Sequence, residues 1–151
     1  MSRAPAAVGE FHTRVEWIDT DAAGIYHNTT VTRFVEAAEA RLMAARGLDG
    51  YFPAAPRVRW TVDFEAPLFF GQDATATVIL TQVGTTSMTW EFEVWGEEFR
   101  GRPRMRAAHG SYVTVHLGTG HDPDARSGST PWPTTWLAAL QGPVRHNAEG
   151  E

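Results

Sequence analysis

The sequence predicts an α+β fold in which a five-stranded antiparallel sheet wraps around one long helix. Five segments carry apolar residues at every second position, and one segment, between the first strand and the other four, carries them at every third or fourth position. Strands with one apolar face are typical of antiparallel sheets, because strands of parallel sheets are covered on both faces. The apolar face of such a sheet can bury the apolar stripe of the helix.

Each predicted strand is defined by alternating positions that we expect to lie on one face of the sheet. In chain order, these positions are Phe11, Thr13, Val15 and Trp17; Val58, Trp60, Val62 and Phe64; Ala74, Ala76, Val78 and Leu80; Met88, Trp90, Phe92 and Val94; and Met105, Ala107, His109, Ser111, Val113 and Val115.

The long helix is predicted from Val31 to Arg46. Its apolar positions are Val31, Phe34, Val35, Ala38, Leu42 and Ala45. Gly47 is suited to end the helix in a left-handed conformation, and a side-chain oxygen of Asn28, Thr29 or Thr30 can cap its start. A second, short helix is predicted from Thr134 to Leu140, after the turn PWP.

Length and composition indicate one domain. A chain of 151 residues with 42% apolar residues can form one sizeable core. We expect a flexible tail at residues 1–9, the folded domain at 10–117, and a loop, the short helix and a tail at 118–151. Cysteine is absent, which favours a cytoplasmic protein, and no segment offers the roughly 18 consecutive apolar residues of a membrane span.

The charge of the chain argues against a nucleic-acid partner. The formal net charge is −5, and phosphate backbones are bound by clustered cationic residues. All 13 cationic residues are arginines, and their one local cluster is FRGRPRMR, from Phe99 to Arg106. This cluster is either a solvated strand end or a site for an anionic ligand, since the guanidinium fork suits phosphate and carboxylate groups.

Residues with acidic, phenolic, imidazole and amide side chains are concentrated in the segment WIDTDAAGIYHNTT, from Trp17 to Thr30, just before the long helix. The unpaired amides of a helix N-terminus can stabilise an oxyanion, and a nearby acid can act as nucleophile or general base on a carbonyl carbon. Asp21 and the amides around His27, Asn28 and Thr29 would form a minimal acyl-transfer site. The same segment also suits a turn, with Asp19 and Asp21 bonding to nearby amides.

Several motifs extend this interpretation to a family. They are DTDAAGI with the following Tyr, His and Asn, RFVEAAEARL with its terminal Gly, VDFEAPLFFGQDATATVIL, VGTTSMTWEFEV and STPWPTTWLAALQG. Together they resemble the 4-hydroxybenzoyl-CoA thioesterase branch of the hotdog-fold acyl-CoA thioesterases, over about residues 11 to 117. The resemblance implies a hotdog fold, in which the strands and the helix follow the order predicted above.

The resemblance also implies roles for individual residues. Asp21 matches the acid that the family uses as nucleophile or general base, and Asp19 matches a non-catalytic acid. The Tyr-His pair stands one place early, so that Asn28 occupies the place of the usual His or Tyr. The expected oxyanion and substrate contacts are Gly24, Tyr26, His27, Asn28 and Thr29, and the secondary candidates are Glu36, Trp60 and Ser87.

The implied activity is hydrolysis of an acyl thioester, in the first place of coenzyme A, without a metal or cofactor. The resemblance implies a site at the interface of a homodimer or homotetramer and no membrane partner. The arginines Arg100, Arg102 and Arg104 are candidates for binding the nucleotide phosphates. Two alternatives stay open: a thioesterase that acts on an acyl carrier protein, and a non-catalytic protein that binds acyl or aromatic ligands.

Overall fold

The computed structural model describes residues 7–26, 28–118 and 128–141. Five strands and one long helix are present, as predicted. The elements are β1 Val8–Arg14, α1 Asn28–Ala45, α2 Tyr51–Ala54, β2 Arg57–Phe64, β3 Asp73–Val83, β4 Ser87–Gly96, β5 Met105–Val115 and α3 Thr134–Gln141, with a short 3-10 helix at Trp17–Asp19.

The five strands form one antiparallel sheet in the order β1-β3-β4-β5-β2. β1 and β2 are its two edge strands. α1 follows β1 and lies against the inner face of the sheet, and a Cβ atom at Gly9 of β1 would collide with the carbonyl oxygen of Ala38. This close approach packs the second half of α1 directly against β1.

The core forms where the apolar stripe of α1 meets the central strands. The buried residues of α1 include all the predicted apolar positions except Ala45, which is exposed in the last turn. Gly47 has a φ of 72° and ends the helix as predicted. The predicted inner faces of β3 and β4 are confirmed by the burial of Ala74, Ala76, Val78, Met88, Trp90, Phe92 and Val94.

The buried face of β5 differs from the predicted one. Val94 of β4 pairs with Ala108, whereas Trp95 pairs with Arg106, so that Ala107 is an extra residue in β5. Ala107 and Ala108 are both buried, and beyond this bulge the even-numbered residues face the core. The predicted buried face, with His109, Ser111, Val113 and Val115, was therefore wrong.

The chain leaves the first strand earlier than predicted. Val15 is buried as predicted, but Trp17 lies in the 3-10 helix and is 74% exposed. The backbone turns here because the amide of Glu16 donates to the Asp19 carboxylate at 2.8 Å, and the amide of Asp19 donates to the Glu16 carbonyl at 2.9 Å. The prediction that Trp17 continues the buried face of β1 was wrong.

The edge strand β2 keeps only part of its predicted buried face. Trp60 and Val62 are half-buried and pack against the core, but Val58 and Phe64 are exposed. The pairing of β2 with β5 shifts between Arg57 and Arg59, which turns Val58 outward. The inner-face assignments of Val58 and Phe64 were therefore wrong.

The two ends of the chain are described only in part. β1 begins at Val8, so the end of the predicted tail belongs to the sheet, while residues 1–6, 119–127 and 142–151 lie outside the described residues. α3 agrees with its prediction within one residue. Among the described helices, none is long and apolar enough to cross a membrane.

Candidate active site

The loop between β1 and α1 is closed by its own backbone. The amide of Asp21 donates to the Ile25 carbonyl at 2.8 Å, and the amide of Gly24 donates to the Asp21 carbonyl at 2.9 Å. Gly24 has a φ of 82°, a left-handed conformation that residues with a Cβ atom adopt at a cost. Asp21 is thus the first residue of a tight turn with a defined backbone.

Asp21 is exposed at this turn. Its Oδ1 atom accepts the amide of Ala23 at 2.8 Å, which orients the carboxylate without burying it. α1 begins seven residues later, at Asn28. The structure therefore presents an accessible carboxylate on the short segment that leads into the N-terminus of the long helix.

Asp19, in contrast, is 2% exposed and fully engaged. Its carboxylate forms an ion pair with Arg33 of α1 and accepts the amide of Glu16, and its carbonyl accepts the hydroxyl of Thr30 at 3.0 Å. A buried acid requires such partners, because an unpaired buried charge is costly. Asp19 anchors the loop to the first two turns of α1 and thereby positions Asp21.

Tyr26 is a second anchor. Its amide donates to the Leu68 carbonyl at 3.0 Å, and its buried hydroxyl lies 3.2 Å from the Ala66 carbonyl and 3.3 Å from the Ala107 carbonyl. Burial, with a smaller contribution from the nearby Glu65 carboxylate, raises the pKa of Tyr26 to about 12. The phenol is neutral and bonded to the backbone, so the polar atoms of this residue hold the loop in place.

The start of α1 follows the Asp21 loop directly. Asn28 and Thr29 are exposed in its first turn, which contains no acidic residue, and the first amides of a helix lack partners within it. The helix begins at Asn28, so Asn28, Thr29 and Thr30 lie inside it and the prediction that one of them precedes and caps it was wrong. His27, at the preceding position, lies outside the described residues.

A pocket of about 370 Å³ adjoins the loop at Gly24. We call it the arginine–phenylalanine pocket; its other lining residues are Phe69, Phe70, Phe99, Arg100 and Arg102. The sequence singled out the two arginines but not the phenylalanines. The pocket forms because Phe69 pairs with Ile25 in an isolated bridge and stacks on Phe99 with ring centroids 6.3 Å apart.

Residues 23–100 match the family model of the thioesterase superfamily, which is more than half of the chain. The chain belongs to the thioesterase superfamily. The matched segment begins two residues after Asp21, so it includes the start of α1 and most of the sheet but not that acid. Among proteins of curated function, no match was found.

Solved structures show the fold of this thioesterase-superfamily protein. 4-Hydroxybenzoyl-CoA thioesterase from Pseudomonas sp. strain CBS-3 is similar with a TM-score of 0.76 and 16% identity, over 89% of this chain and 99% of that one. A 1,4-dihydroxy-2-naphthoyl-CoA thioesterase from Synechocystis has a TM-score of 0.74 and 18% identity, over 88% and 95%. A thioesterase from Thermus thermophilus, complexed with coenzyme A and zinc, has a TM-score of 0.72 and 21% identity, over 93% and 94%. The predicted hotdog fold is confirmed.

The three secondary candidates of this thioesterase-superfamily protein lie away from the Asp21 loop, Glu36 further along α1 and the other two on β2 and β4. Glu36 pairs with Arg57 at 3.1 Å, Trp60 stacks on Phe92 with centroids 4.7 Å apart, and Ser87 begins β4 at the turn closed by the amide of Gly84. None of these contacts, within the ranges that the structure describes, joins the Asp21 loop. The structure therefore groups Asp21, Gly24 and the start of α1, and leaves these three apart.

The long helix also carries a buried acid. Glu39 of α1 is fully buried and pairs with Arg57, whose guanidinium lies 4.8 Å from the centroid of the Tyr112 ring. Burial raises the pKa of Glu39 to about 7, although the charge of Arg57 lowers it. The signal in the sequence is its helical spacing, because Glu39 lies four residues after Val35 and three before Leu42, both on the apolar stripe.

Proposed function

We propose that the protein hydrolyses an acyl thioester of coenzyme A to a free acid and a thiol, with Asp21 as nucleophile or general base. The observation that carries the proposal is the exposed Asp21 carboxylate, held in a closed turn that Asp19 and Thr30 tie to the start of α1. Membership of the thioesterase superfamily supports thioester hydrolysis, and two of the similar structures are CoA thioesterases by name.

The reaction needs one group to attack and another to hold the developing negative charge. In the nucleophilic route, an oxygen of Asp21 attacks the thioester carbonyl carbon, the C–S bond breaks, and a mixed anhydride forms. Water then hydrolyses the anhydride to the free acid, and the released proton goes to the thiolate. In the general-base route, Asp21 takes a proton from the attacking water, and the thiolate receives that proton.

The first-turn amides of α1 are the proposed oxyanion hole in both routes. They point along the helix axis toward its N-terminal end, where the helix dipole is positive. Asn28 and Thr29 leave this end open because both side chains are exposed. The buried Thr30 hydroxyl is bonded to the Asp19 carbonyl, which fixes the first turn relative to the loop.

The activity is tested with a mixture of aromatic, short-chain and long-chain acyl-CoA thioesters, with the released acids identified by mass spectrometry. We expect one class of acid to accumulate with the wild-type protein and not with Asp21→Asn. Asp49→Asn, at an exposed position between α1 and α2, is the matched control and should act like the wild type. Tight binding without release of any acid would instead indicate a non-catalytic ligand-binding protein and would overturn the proposal.

A thioester on a carrier protein is the second candidate, favoured by exposed apolar side chains beside the loop. Trp17 and Ile18 are 74% and 81% exposed, and Phe70, 51% exposed, lies edge-on to Trp17 with centroids 5.7 Å apart. Large exposed apolar groups often mark a surface that a protein partner covers. A higher kcat/KM for an acyl group on a carrier protein than for the same group on CoA would favour this candidate.

We also propose that the protein forms at least a homodimer through the edge strand β2. Within the described part of the chain, β2 pairs only with β5, which leaves its other edge open. Val58 and Phe64 of this strand are 60% and 43% exposed. An open edge with apolar side chains favours pairing with another strand, and pairing of two β2 strands would join two sheets.

A further inference from the structure

The arginine–phenylalanine pocket combines aromatic faces with two cations. The rings of Phe69 and Phe99 stack with an interplanar angle of 9°. The guanidinium of Arg102 lies 4.9 Å from the centroid of Phe69, and that of Arg100 lies 5.0 Å from the centroid of Phe99. A guanidinium stacked on a ring keeps its N–H groups available at its edge, where they can bind an anion in a bidentate manner.

Neither arginine forms an ion pair with another described residue, whereas the next two cationic residues along the chain do. Arg104 pairs with Glu97 at 2.7 Å and lies over Trp95, and Arg106 pairs with both Glu65 and Glu93. Arg100 and Arg102 are exposed at the rim of the pocket. Among the described residues, the one carboxylate bonded to the turn between them is that of Glu98, which accepts the amide of Gly101 at 3.2 Å. Two cations without an ion pair at the rim of one pocket are suited to bind an anion.

The turn that carries Arg100 requires a backbone conformation that is unfavourable for arginine. Phe99 and Arg102 exchange two backbone hydrogen bonds of 3.0 and 2.9 Å, which leaves Arg100 and Gly101 as a two-residue hairpin loop. Their φ values are 50° and 83°, and Arg100 is the only non-glycine residue with a positive φ among those the structure describes. Such hairpins favour Asn, Asp or Gly at this position. A strained residue whose side chain lines a pocket is a candidate for function.

We propose that the arginine–phenylalanine pocket binds an anionic group of the thioester substrate, with Arg100 and Arg102 as its ligands. The inference rests on the proposed function, because the pocket adjoins the Asp21 turn through Gly24. Two parts of the substrate carry an anionic group that two guanidinium groups can bind in the same way. The bound group is either a phosphate on the nucleotide end of CoA, whose base would stack on the aromatic faces, or a carboxylate at the far end of the acyl group. Arg104, which is paired with Glu97, is not part of this site.

The test measures binding to the wild-type chain and to an Arg100→Gln/Arg102→Gln variant by calorimetry. The probes are thioether analogues, which contain no cleavable thioester: S-hexyl-CoA, S-hexyl-pantetheine and S-(5-carboxypentyl)-pantetheine. Because no turnover occurs, the result does not depend on whether Asp21 is catalytic. Arg104→Gln removes the same charge from the same hairpin and serves as the matched control.

The expected result is a rise of at least tenfold in the Kd of one charged probe in the double variant, with the Kd of S-hexyl-pantetheine changed less than twofold. A rise for S-hexyl-CoA alone assigns the anion to the nucleotide, and a rise for the carboxypentyl probe alone assigns it to the acyl group. Arg100→Asn, which suits the turn, should reproduce the direction of the effect in a correctly folded hairpin. Equal Kd values for wild type and double variant with both charged probes, or no binding of either to the wild type, would overturn the proposal.

Discussion

The Asp19 carboxylate is paired with the guanidinium of Arg33 and so fixes the loop of the candidate nucleophile to the second turn of α1. The two residues lie 14 positions apart, on opposite sides of the turn that carries Asp21. Asp19 is buried and Arg33 is half-exposed, so the pair has one desolvated partner. The geometry of the site therefore depends on a residue to which the proposed reaction assigns no chemical step.

Asp19→Asn should destabilise the protein. It removes the charge opposite Arg33, and we expect a loss of about 1 to 3 kcal/mol in the free energy of unfolding, less than for a fully buried pair because Arg33 is solvated. Urea denaturation measures the loss. Asp73→Asn, which breaks the exposed pair with Arg14, is the control and should cost at most about 0.5 kcal/mol. Equal stability of the two variants would show that the pair does not anchor the loop.

Glu39 should make stability depend on pH. Its pKa is raised to about 7 in the folded chain, from the ordinary value of 4.5, so between these values the folded state binds more protons than the unfolded state. The contribution of this group to stability is therefore full below pH 4.5 and is lost as the pH rises to 7. This pKa shift corresponds to a stability change on the order of 3 kcal/mol.

Glu39→Gln, which carries no titrating group, provides the comparison. The stability difference between the variant and the wild type, from urea denaturation, should shift in favour of the variant as the pH rises from 4.5 to 7 and stay constant above that range. A difference that does not change with pH would mean that Glu39 is ionised across this range in the folded chain.

Arg100→Asn should stabilise the hairpin between β4 and β5. Asn adopts the left-handed conformation of the first loop position more readily than Arg, so we expect a gain of about 1 kcal/mol. For a domain of this size, the gain raises the midpoint of thermal unfolding by about 2 to 4 °C. Arg102→Asn, at a position without a positive φ, is the control. A lower midpoint for Arg100→Asn than for this control would contradict the strain assigned to Arg100.

Val58→Lys should weaken the proposed dimer. A charged side chain on an open edge strand opposes pairing with a second strand. Light scattering after size exclusion should show a larger share of monomer than for the wild type. Ile79→Lys, at an exposed position of β3, is the control. A dimer that is equally stable in both variants would place the interface away from this end of β2.

The sequence pattern predicted the fold well where one element packs against another with regular geometry. Alternation located β3 and β4, and the helical period located α1, because most of each element packs one face against the core. The alternation pattern failed on β5, because the β-bulge at Ala107 changes which residues of the strand face the core. A bulge depends on pairing with a strand elsewhere in the sequence, and the apolar Val113 and Val115 concealed this change.

The candidate site was predictable only in part, for a similar reason. Asp21 and Gly24 stand next to each other in sequence and in space, so a local motif could reveal them. The arginine–phenylalanine pocket joins Phe69 to Phe99, 30 residues later, through stacking that no local pattern shows. The burial of Glu39 likewise depends on Arg57, which reaches it from β2.

The role of Asp21 is tested most directly by kcat/KM of Asp21→Asn for the acyl-CoA that the wild-type protein hydrolyses fastest, measured by thiol release. Asn keeps the shape of the side chain but removes the anionic oxygen, so we predict a loss of at least about 100-fold. Circular dichroism should show an unchanged fold, and Asp49→Asn should stay within about twofold of the wild type, as surface substitutions usually do. Hydrolysis by Asp21→Asn at the wild-type rate would contradict the account.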